Sequence, residues 1–372
     1  MPTLSAGTMQ FAFSLYSAVA AEQRGSFVIS PLPFSLAFSL LLNGADPETQ
    51  QELLQVTGLS GNTMDEINRQ NQRLQKILDQ LNQEGGQKFA LASSLWASLP
   101  LAFSPALLDA GRSFYSAEIA SVPRAELPDR VSRWSLERTS GLIDMRLQES
   151  DFALLTATYF KGKWKFPFDE ARTQPADFHP ESAPARKVPM MQQRGEFSYF
   201  SAKDFHVVAL PYATATMYVL APKPDGFFSR HSLAKIEQRV FSDGWIMTQP
   251  FAGLSGLVKI PKFKLRYDGD FIPILRKLGM NRIFDSFDSL RPAVTHPEGA
   301  KVTQVLQNST ITVDEKGAEA ASVLAMGMRA GAAPGWKPPK PFEFIADRPF
   351  CFWIMDDATN SVLFSGRVNE LP

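Results

Sequence analysis

Apolar residues at helical spacing dominate the first third of the chain. In the stretch SPLPFSLAFSLLLNG, leucine and phenylalanine cover most of the helix circumference, with Ser30 and Pro31 at the start and Gly44 at the end. This pattern predicts a buried helix that Ser30 caps. Similar start and stop signals predict further helices over residues 46–58, 62–83 and 129–141.

Short runs rich in β-branched and aromatic residues, bounded by Gly, Pro or Asp, fill the middle and the end of the chain. They predict strands at residues 152–164, 206–212, 216–222, 256–267 and 301–313. Residues 348–366 contain two apolar runs around the turn-forming sequence DDATN, which predicts a buried hairpin. Helices that cluster early and strands that follow predict an α+β fold.

One stretch near the C-terminus lacks this pattern. Residues 317–331 are mostly small and contain no proline, whereas residues 332–341, AAPGWKPPKP, are rich in proline. The first part can become a strand, because it is slim and every residue can donate a backbone hydrogen bond. The second part favours an extended, stiff chain.

This stretch is a loop and not a linker between domains. Only 31 residues follow it, from Phe342 to Pro372, too few for a core of their own. We therefore predict a single domain over residues 1–372, with a long surface loop at about residues 315–341 that a protease can reach.

The net charge of the chain does not indicate a class of binding partner. The 38 basic residues equal the 38 acidic ones, so no basic field predicts binding to nucleic acid or to an anionic membrane. No apolar run has the length of a membrane span, and the first residues favour an amphipathic helix over a signal peptide.

Candidate chemistry for an enzyme is absent from the sequence. The four histidines show no metal-ligand spacing, and no nucleotide-binding, metalloprotease or serine-hydrolase motif occurs, so we predict no metal and no cofactor. The single cysteine, Cys351, lies between phenylalanines and reads as a small buried hydrophobic residue. One cysteine excludes an intramolecular disulfide, which is compatible with a reducing cytosol. We expect a cytoplasmic protein, with secretion as the alternative.

Seven stretches of the sequence share one family resemblance. They include SFVISPLPFSLAFSLLLNGADPETQQELLQVTGL, TYFKGKWKFPFD, KIPKFKL, VDEKGAEAAS and DRPFCFWIMDDATNSVLFSGRV. Their order and spacing, from about Phe11 to Val368, resemble those of a serpin, and the chain looks like an inhibitory, prokaryotic or intracellular member.

The resemblance implies three β-sheets, eight or nine helices and an exposed reactive loop. It also implies suicide inhibition, and not enzyme activity: a serine protease, or alternatively a cysteine protease, attacks the loop and forms a covalent acyl complex. The cleaved loop then inserts into the main sheet as an additional strand. A monomer is expected. Helix residues Arg69, Arg73 and Lys76 are too few to predict a glycosaminoglycan cofactor.

The hinge of the loop matches that of inhibitory serpins, except that Ala318 replaces the usual threonine. The predicted hinge residues are Glu315, Lys316, Gly317, Ala318, Glu319, Ala320, Ala321 and Ser322; of these, Glu315, Gly317, Glu319, Ala320 and Ala321 match the family. With period two, Ala318, Ala320 and Ser322 would face the core of the sheet. Insertion as far as Gly331 would carry an attached protease on the order of 45 Å.

Other matched positions concern the opening of the main sheet. By resemblance, Trp164 lies under the top of the sheet, Glu315 pairs with Lys262 there, and Ser30 lies in the lower region. The chain departs from the family at three positions, where Thr156 replaces an asparagine, Gln307 a histidine and Pro33 a serine. We expect Thr156 and Gln307 to hydrogen-bond across the strands.

The position of the scissile bond follows from counting along the hinge. It predicts cleavage at Gly331–Ala332, or one residue later at Ala332–Ala333, which suits an elastase-like or subtilisin-like protease. The alternative is Arg329–Ala330, which suits a trypsin-like protease. A non-inhibitory serpin that acts as a carrier or chaperone is the rival function, and no role is assigned to Trp336.

Overall fold

The computed structural model describes residues 4–84, 88–147, 150–223, 233–316 and 340–371. In these ranges its α-helices are α1 (Leu4–Glu22), α2 (Pro31–Leu41), α3 (Pro47–Val56), α4 (Met64–Glu84), α5 (Pro105–Ala110), α6 (Leu127–Arg138), α7 (Leu233–Phe241), α8 (Ile272–Lys277) and α9 (Arg282–Asp285). The predicted helices at residues 30–44, 46–58, 62–83 and 129–141 correspond to α2, α3, α4 and α6. Every residue of α2 is buried, as its apolar circumference predicts.

Within the described residues, five strands form the main sheet. In spatial order they are β10 (Phe263–Asp270), β11 (Gln304–Val313), β4 (Phe152–Lys161), β2 (Lys88–Ser98) and β3 (Glu118–Val122). The central strands β11 and β4 are parallel, whereas β10 and β2 run antiparallel to their inner neighbours.

The other nine strands form a second hydrogen-bonded network. In chain order they are β1 (Phe27–Ile29), β5 (Gln174–Phe178), β6 (Arg186–Ser201), β7 (Phe205–Pro211), β8 (Ala215–Pro222), β9 (Ala252–Pro261), β12 (Phe342–Ile345), β13 (Phe350–Asp356) and β14 (Val362–Val368). The 16-residue strand β6 pairs with β5 and β9 along most of its length and with β7 at its end. It therefore links one group, β5, β6, β9 and β12, to another, β7, β8, β13, β14 and β1. With the main sheet these make the three predicted groups of strands.

The main sheet is covered on both faces. The large core lies on one face, where α2 packs, and a smaller cluster that includes Trp96, Val131, Trp134 and Leu155 lies under α6 on the other. Strand β4 is consequently buried from Phe152 to Phe160 on both faces. Burial on both faces explains its nearly continuous apolar sequence.

Two local predictions were wrong. The predicted strand at residues 256–267 is two strands, β9 and β10, that belong to different sheets; Lys262 lies between them and donates its backbone N–H to Pro189 O at 2.9 Å. Ser30 occupies the N-cap position of α2 but makes no side-chain cap bond, because its hydroxyl donates to Leu363 O at 2.5 Å.

The predicted C-terminal hairpin is confirmed as β13 and β14. In its turn the Asp356 carboxylate accepts the backbone N–H of Thr359 at 2.7 Å, and Asn360 adopts a left-handed conformation with φ of 56°. Asparagine and aspartate suit these positions, because their short polar side chains bond to nearby backbone.

Candidate functional site

The predicted hinge begins where β11 ends, beside the central parallel pair of the main sheet. Strands β11 and β4 are in register over eight residue pairs, from Gln304 opposite Ala153 to Ile311 opposite Phe160. Asp314, Glu315 and Lys316 continue directly from β11. The rest of the predicted hinge, residues 317–322, and the candidate scissile bonds at residues 329–333 lie outside the described residues, as does Trp336.

Glu315 is held by two side chains at the top of the sheet. Its carboxylate lies 2.7 Å from Lys262 Nζ and accepts a hydrogen bond from the Thr173 hydroxyl at 2.8 Å. Only 5% of its side chain is exposed. Lys262 lies between β9 and β10, where its ammonium group contacts the first residues of the predicted hinge. The expected ion pair between Glu315 and Lys262 is therefore present in the structure.

Trp164 fixes the residue before Glu315. Its indole Nε1 donates to Asp314 O at 2.7 Å, and its ring stacks on Tyr212 with 4.0 Å between centroids. The Asp314 side chain pairs with Lys161 Nζ at 2.8 Å. Trp164 was expected under the top of the sheet from the resemblance; Asp314, Lys161 and Thr173 were not anticipated.

These contacts shift two pKa values. Burial raises the pKa of Glu315, but hydrogen bonds from Lys262 and Thr173 outweigh it, and the net pKa lies below the ordinary value. The hydrogen bond to Asp314 raises the pKa of Lys161. Both groups are therefore stabilised in their charged forms, which anchors the first residues of the hinge at neutral pH.

A neutral hydrogen-bond network crosses the two central strands lower down. The Gln307 amide donates to Thr156 Oγ1 at 2.9 Å and to Ser30 O at 2.8 Å, while its oxygen accepts the Ser30 N–H at 2.8 Å. All three residues are fully buried. The expected bond between Thr156 and Gln307 is thus present, and it ties β11 and β4 to the start of α2.

Sequence reasoning missed the extension of this network. Ser309 donates to Gln307 Oε1 at 3.0 Å and shares a hydrogen bond of 2.7 Å with Thr158. These residues lie two positions beyond Gln307 and Thr156, hence on the same face of the sheet. The two-residue period of a strand could therefore have predicted that Thr158 and Ser309 join the network.

Pro33 is accommodated without loss of a helical hydrogen bond. It lies in the first turn of α2, where backbone N–H groups have no partner within the helix. This departure from the family therefore leaves the helix intact.

The described residues offer no alternative site for metal or thiol chemistry. No group of three or more His, Cys, Asp or Glu side chains in them could hold a metal ion. Cys351 is buried in β13, and burial raises the pKa of its thiol well above the ordinary value. Among the helices of the described ranges, none is long and apolar enough to cross a membrane.

The fold and the site define an α+β protein whose main sheet has a parallel central pair, with the start of the predicted hinge at its upper end. A family model described as "Serpin (serine protease inhibitor)" matches residues 6–371. The chain belongs to the serpin family.

Relatives and solved structures agree with this assignment. The chain is 30% identical over 358 residues to Serpin-ZXA of Oryza sativa, covering 91% of this chain and 88% of the relative. It is 28% identical to Serine protease inhibitor 42Dd of Drosophila melanogaster, covering 92% and 91% of the two chains, and 29% identical to human Serpin B9 over the whole of both. The native stressed conformation of Arabidopsis AtSerpin1 has the same fold, with a TM-score of 0.86 at 22% identity, over 100% of this chain and 99% of that one.

Proposed function

We propose that this protein is a suicide-type inhibitor that traps a serine protease as an acyl complex by inserting its cleaved loop between β4 and β11. Membership of a family described as serine protease inhibitors supports a protease as the partner. The observation that carries the proposal is the parallel, adjacent arrangement of β4 and β11 with the hinge at the end of β11.

A segment that turns back from the end of β11 would run antiparallel to both central strands. Insertion would replace one parallel ladder of eight residue pairs by two antiparallel ladders. Antiparallel pairing is slightly more stable per residue, and the new strand would satisfy its own backbone groups on both sides. This exchange of ladders therefore favours insertion of the loop. An uncleaved loop cannot insert fully, because both of its ends remain attached to the protein.

Insertion requires that the bonds across the central pair be broken. The Gln307–Thr156 hydrogen bond and the contacts of Glu315 with Lys262 and Thr173 stand in the path. All are hydrogen bonds or one ion pair, which can open without creating a cavity. The small inward-facing residues predicted for the hinge, Ala318 and Ala320, suit a narrow passage between strands.

The small residues at the expected scissile bond, Gly331–Ala332, favour an elastase-like or subtilisin-like target. Incubation with elastase, subtilisin and trypsin, followed by denaturing electrophoresis, tests this. We expect an SDS-stable complex with one of the first two and release of a peptide that begins at Ala332. A complex with trypsin and a peptide that begins at Ala330 would instead assign the Arg329 bond.

A hinge variant separates inhibition from simple cleavage. Ala320→Pro should be cut at the same bond but form no complex, because proline cannot join the inner ladder of a sheet. Lys337→Pro, in the proline-rich arm, is the matched control and should still form the complex. Cleavage of the unmodified protein by all three proteases without a complex, and without a rise in melting temperature, would support the non-inhibitory rival.

A further inference from the structure

A cavity of about 290 Å³ lies beside the hinge, between the segment that follows β4 and strands β6, β7 and β8. Trp164, Phe166 and Phe168 line it from that segment, and Phe197 and Tyr218 line it from β6 and β8. Its volume is near the lower end of the range of small-molecule sites, about 300–1,000 Å³. Five aromatic side chains give it a mainly apolar lining.

The wall that follows β4 is fixed by hydrogen bonds. The Gln193 amide donates to the carbonyls of Phe166 and Pro167 at 3.0 and 2.9 Å, and the Lys165 N–H donates to Pro211 O at 2.8 Å. Phe166 nevertheless leaves 38% of its surface exposed beside the cavity. The cavity is therefore preformed, and an apolar ligand would cover surface that water now contacts.

Glu196 is the one charged side chain among the described residues that line the cavity. It is exposed, and neither an ion pair nor a hydrogen bond engages its carboxylate within the described ranges. A carboxylate without a cation, beside aromatic faces, suits a ligand that combines a ring with an ammonium group. Such a group is attracted by both the carboxylate and the ring faces.

We propose that this cavity binds a small arylalkylamine, with its ring between Phe166 and Tyr218 and its ammonium group on Glu196. The Ser198 hydroxyl at the same lining offers a further polar contact. An anionic analogue is disfavoured by the carboxylate, and a neutral one lacks the charge-assisted bond. Binding at this site does not depend on protease inhibition, so each proposal can fail separately.

The cavity shares Trp164 with the hinge. The same indole that lines it donates to Asp314 O, one residue before Glu315. A ligand in contact with this ring would change the environment of the indole N–H. Tyr218, which also lines the cavity, stacks on Trp353 with 5.2 Å between the ring centroids.

Titration of the full chain with 2-phenylethylamine, 2-phenylethanol and 3-phenylpropionate tests the assignment. We expect the amine to bind roughly tenfold more tightly than the alcohol, and the carboxylate to bind most weakly. Glu196→Gln should remove the advantage of the amine and leave the alcohol unchanged. Glu343→Gln, an exposed carboxylate on the nearby strand β12, is the matched control and should change neither.

The location is tested by blocking and by spectroscopy. Ser198→Phe should weaken binding of the amine and of the alcohol alike, since it fills the cavity from an exposed position. In ¹⁵N-edited spectra, with Trp164 assigned through Trp164→Phe, the indole signals of Trp164 and Trp353 should shift with the amine, while those of Trp96 and Trp134 under α6 should not. Equal affinity for the three probes, or shifts confined to the indoles under α6, would overturn the proposal.

Discussion

Replacement of Gln307 by leucine tests how strongly the central strands are tied together. The change keeps most of the side-chain volume but removes both donors and the acceptor of the amide. Four hydrogen bonds of 2.8–3.0 Å are lost, to Ser30 N, Ser30 O, Thr156 and Ser309. The Ser30 N–H loses its acceptor at a fully buried position.

The cost follows from the number and burial of these groups. A buried donor without an acceptor costs about 1–3 kcal/mol, and each further hydrogen bond contributes about 1 kcal/mol net. We expect Gln307→Leu to lower the free energy of unfolding by roughly 4–6 kcal/mol. Thr156→Val removes a single bond of the network, at 2.9 Å, and leaves one N–H of the Gln307 amide without its acceptor, so it should cost about 1–3 kcal/mol.

Urea unfolding followed by circular dichroism measures both changes, from the midpoint and slope of the first cooperative transition. Gln55→Leu on the exposed face of α3 is the control and should stay within about 0.5 kcal/mol of the unmodified protein. The reasoning is refuted if Gln307→Leu and Gln55→Leu unfold at the same urea concentration. Equal costs for Gln307→Leu and Thr156→Val would instead assign the whole effect to the bond between those two residues.

Three further predictions concern charged and reactive groups. The folded pKa of Glu315 is lowered, so the contribution of its pair with Lys262 to the free energy of unfolding should be complete above the unfolded pKa of about 4.3 and vanish as pH falls through the folded pKa. The difference in free energy of unfolding between the unmodified protein and Glu315→Gln, measured from about pH 7 to about pH 3, should therefore shrink with acid. A difference that stays constant with pH would contradict this prediction. Cys351 should resist thiol reagents in the folded protein and react in urea, because it is buried with a raised pKa; rapid modification of the folded protein would show that β13 is accessible. Arg367→Met should lower the free energy of unfolding by about 3–5 kcal/mol, since it leaves the buried Glu237 carboxylate without its guanidinium partner. Addition of Glu237→Leu should recover most of this loss, because it removes the unpaired buried charge. A double variant as unstable as the single one would point to lost packing instead.

Sequence reasoning recovered the side chains of the site better than their surroundings. The Glu315–Lys262 pair was expected because these positions match family motifs. The Gln307–Thr156 bond was expected because an amide and a hydroxyl can hydrogen-bond across the strands, although both residues depart from the family. The positions of Asp314 and Thr173 in the same cluster were not, because neither residue type signals a partner in sequence. Thr173 reaches Glu315 from a segment 142 residues earlier in the chain.

Local signals alone also failed where one segment belongs to two sheets. Residues 256–267 carry the composition of a single long strand, and only the tertiary structure divides them at Lys262. Pairing decides this division, because β9 finds its partners in β6 and β12 while β10 finds its partner in β11. Strand propensity is a property of the local sequence, whereas the strand with which a segment pairs lies far away in the sequence.

The sequence by itself determined the helices α2, α3, α4 and α6, the burial of α2, the C-terminal hairpin and the division of the loop into a proline-free and a proline-rich part. These depend on periodicity, caps, turn residues and the missing N–H of proline, which are local properties. Only the tertiary structure decided that β11 lies parallel to β4, that Thr173 reaches Glu315 across 142 positions, and that Trp164 contacts both the predicted hinge and a cavity. Contacts between distant segments depend on how the whole chain packs, and no local pattern encodes them.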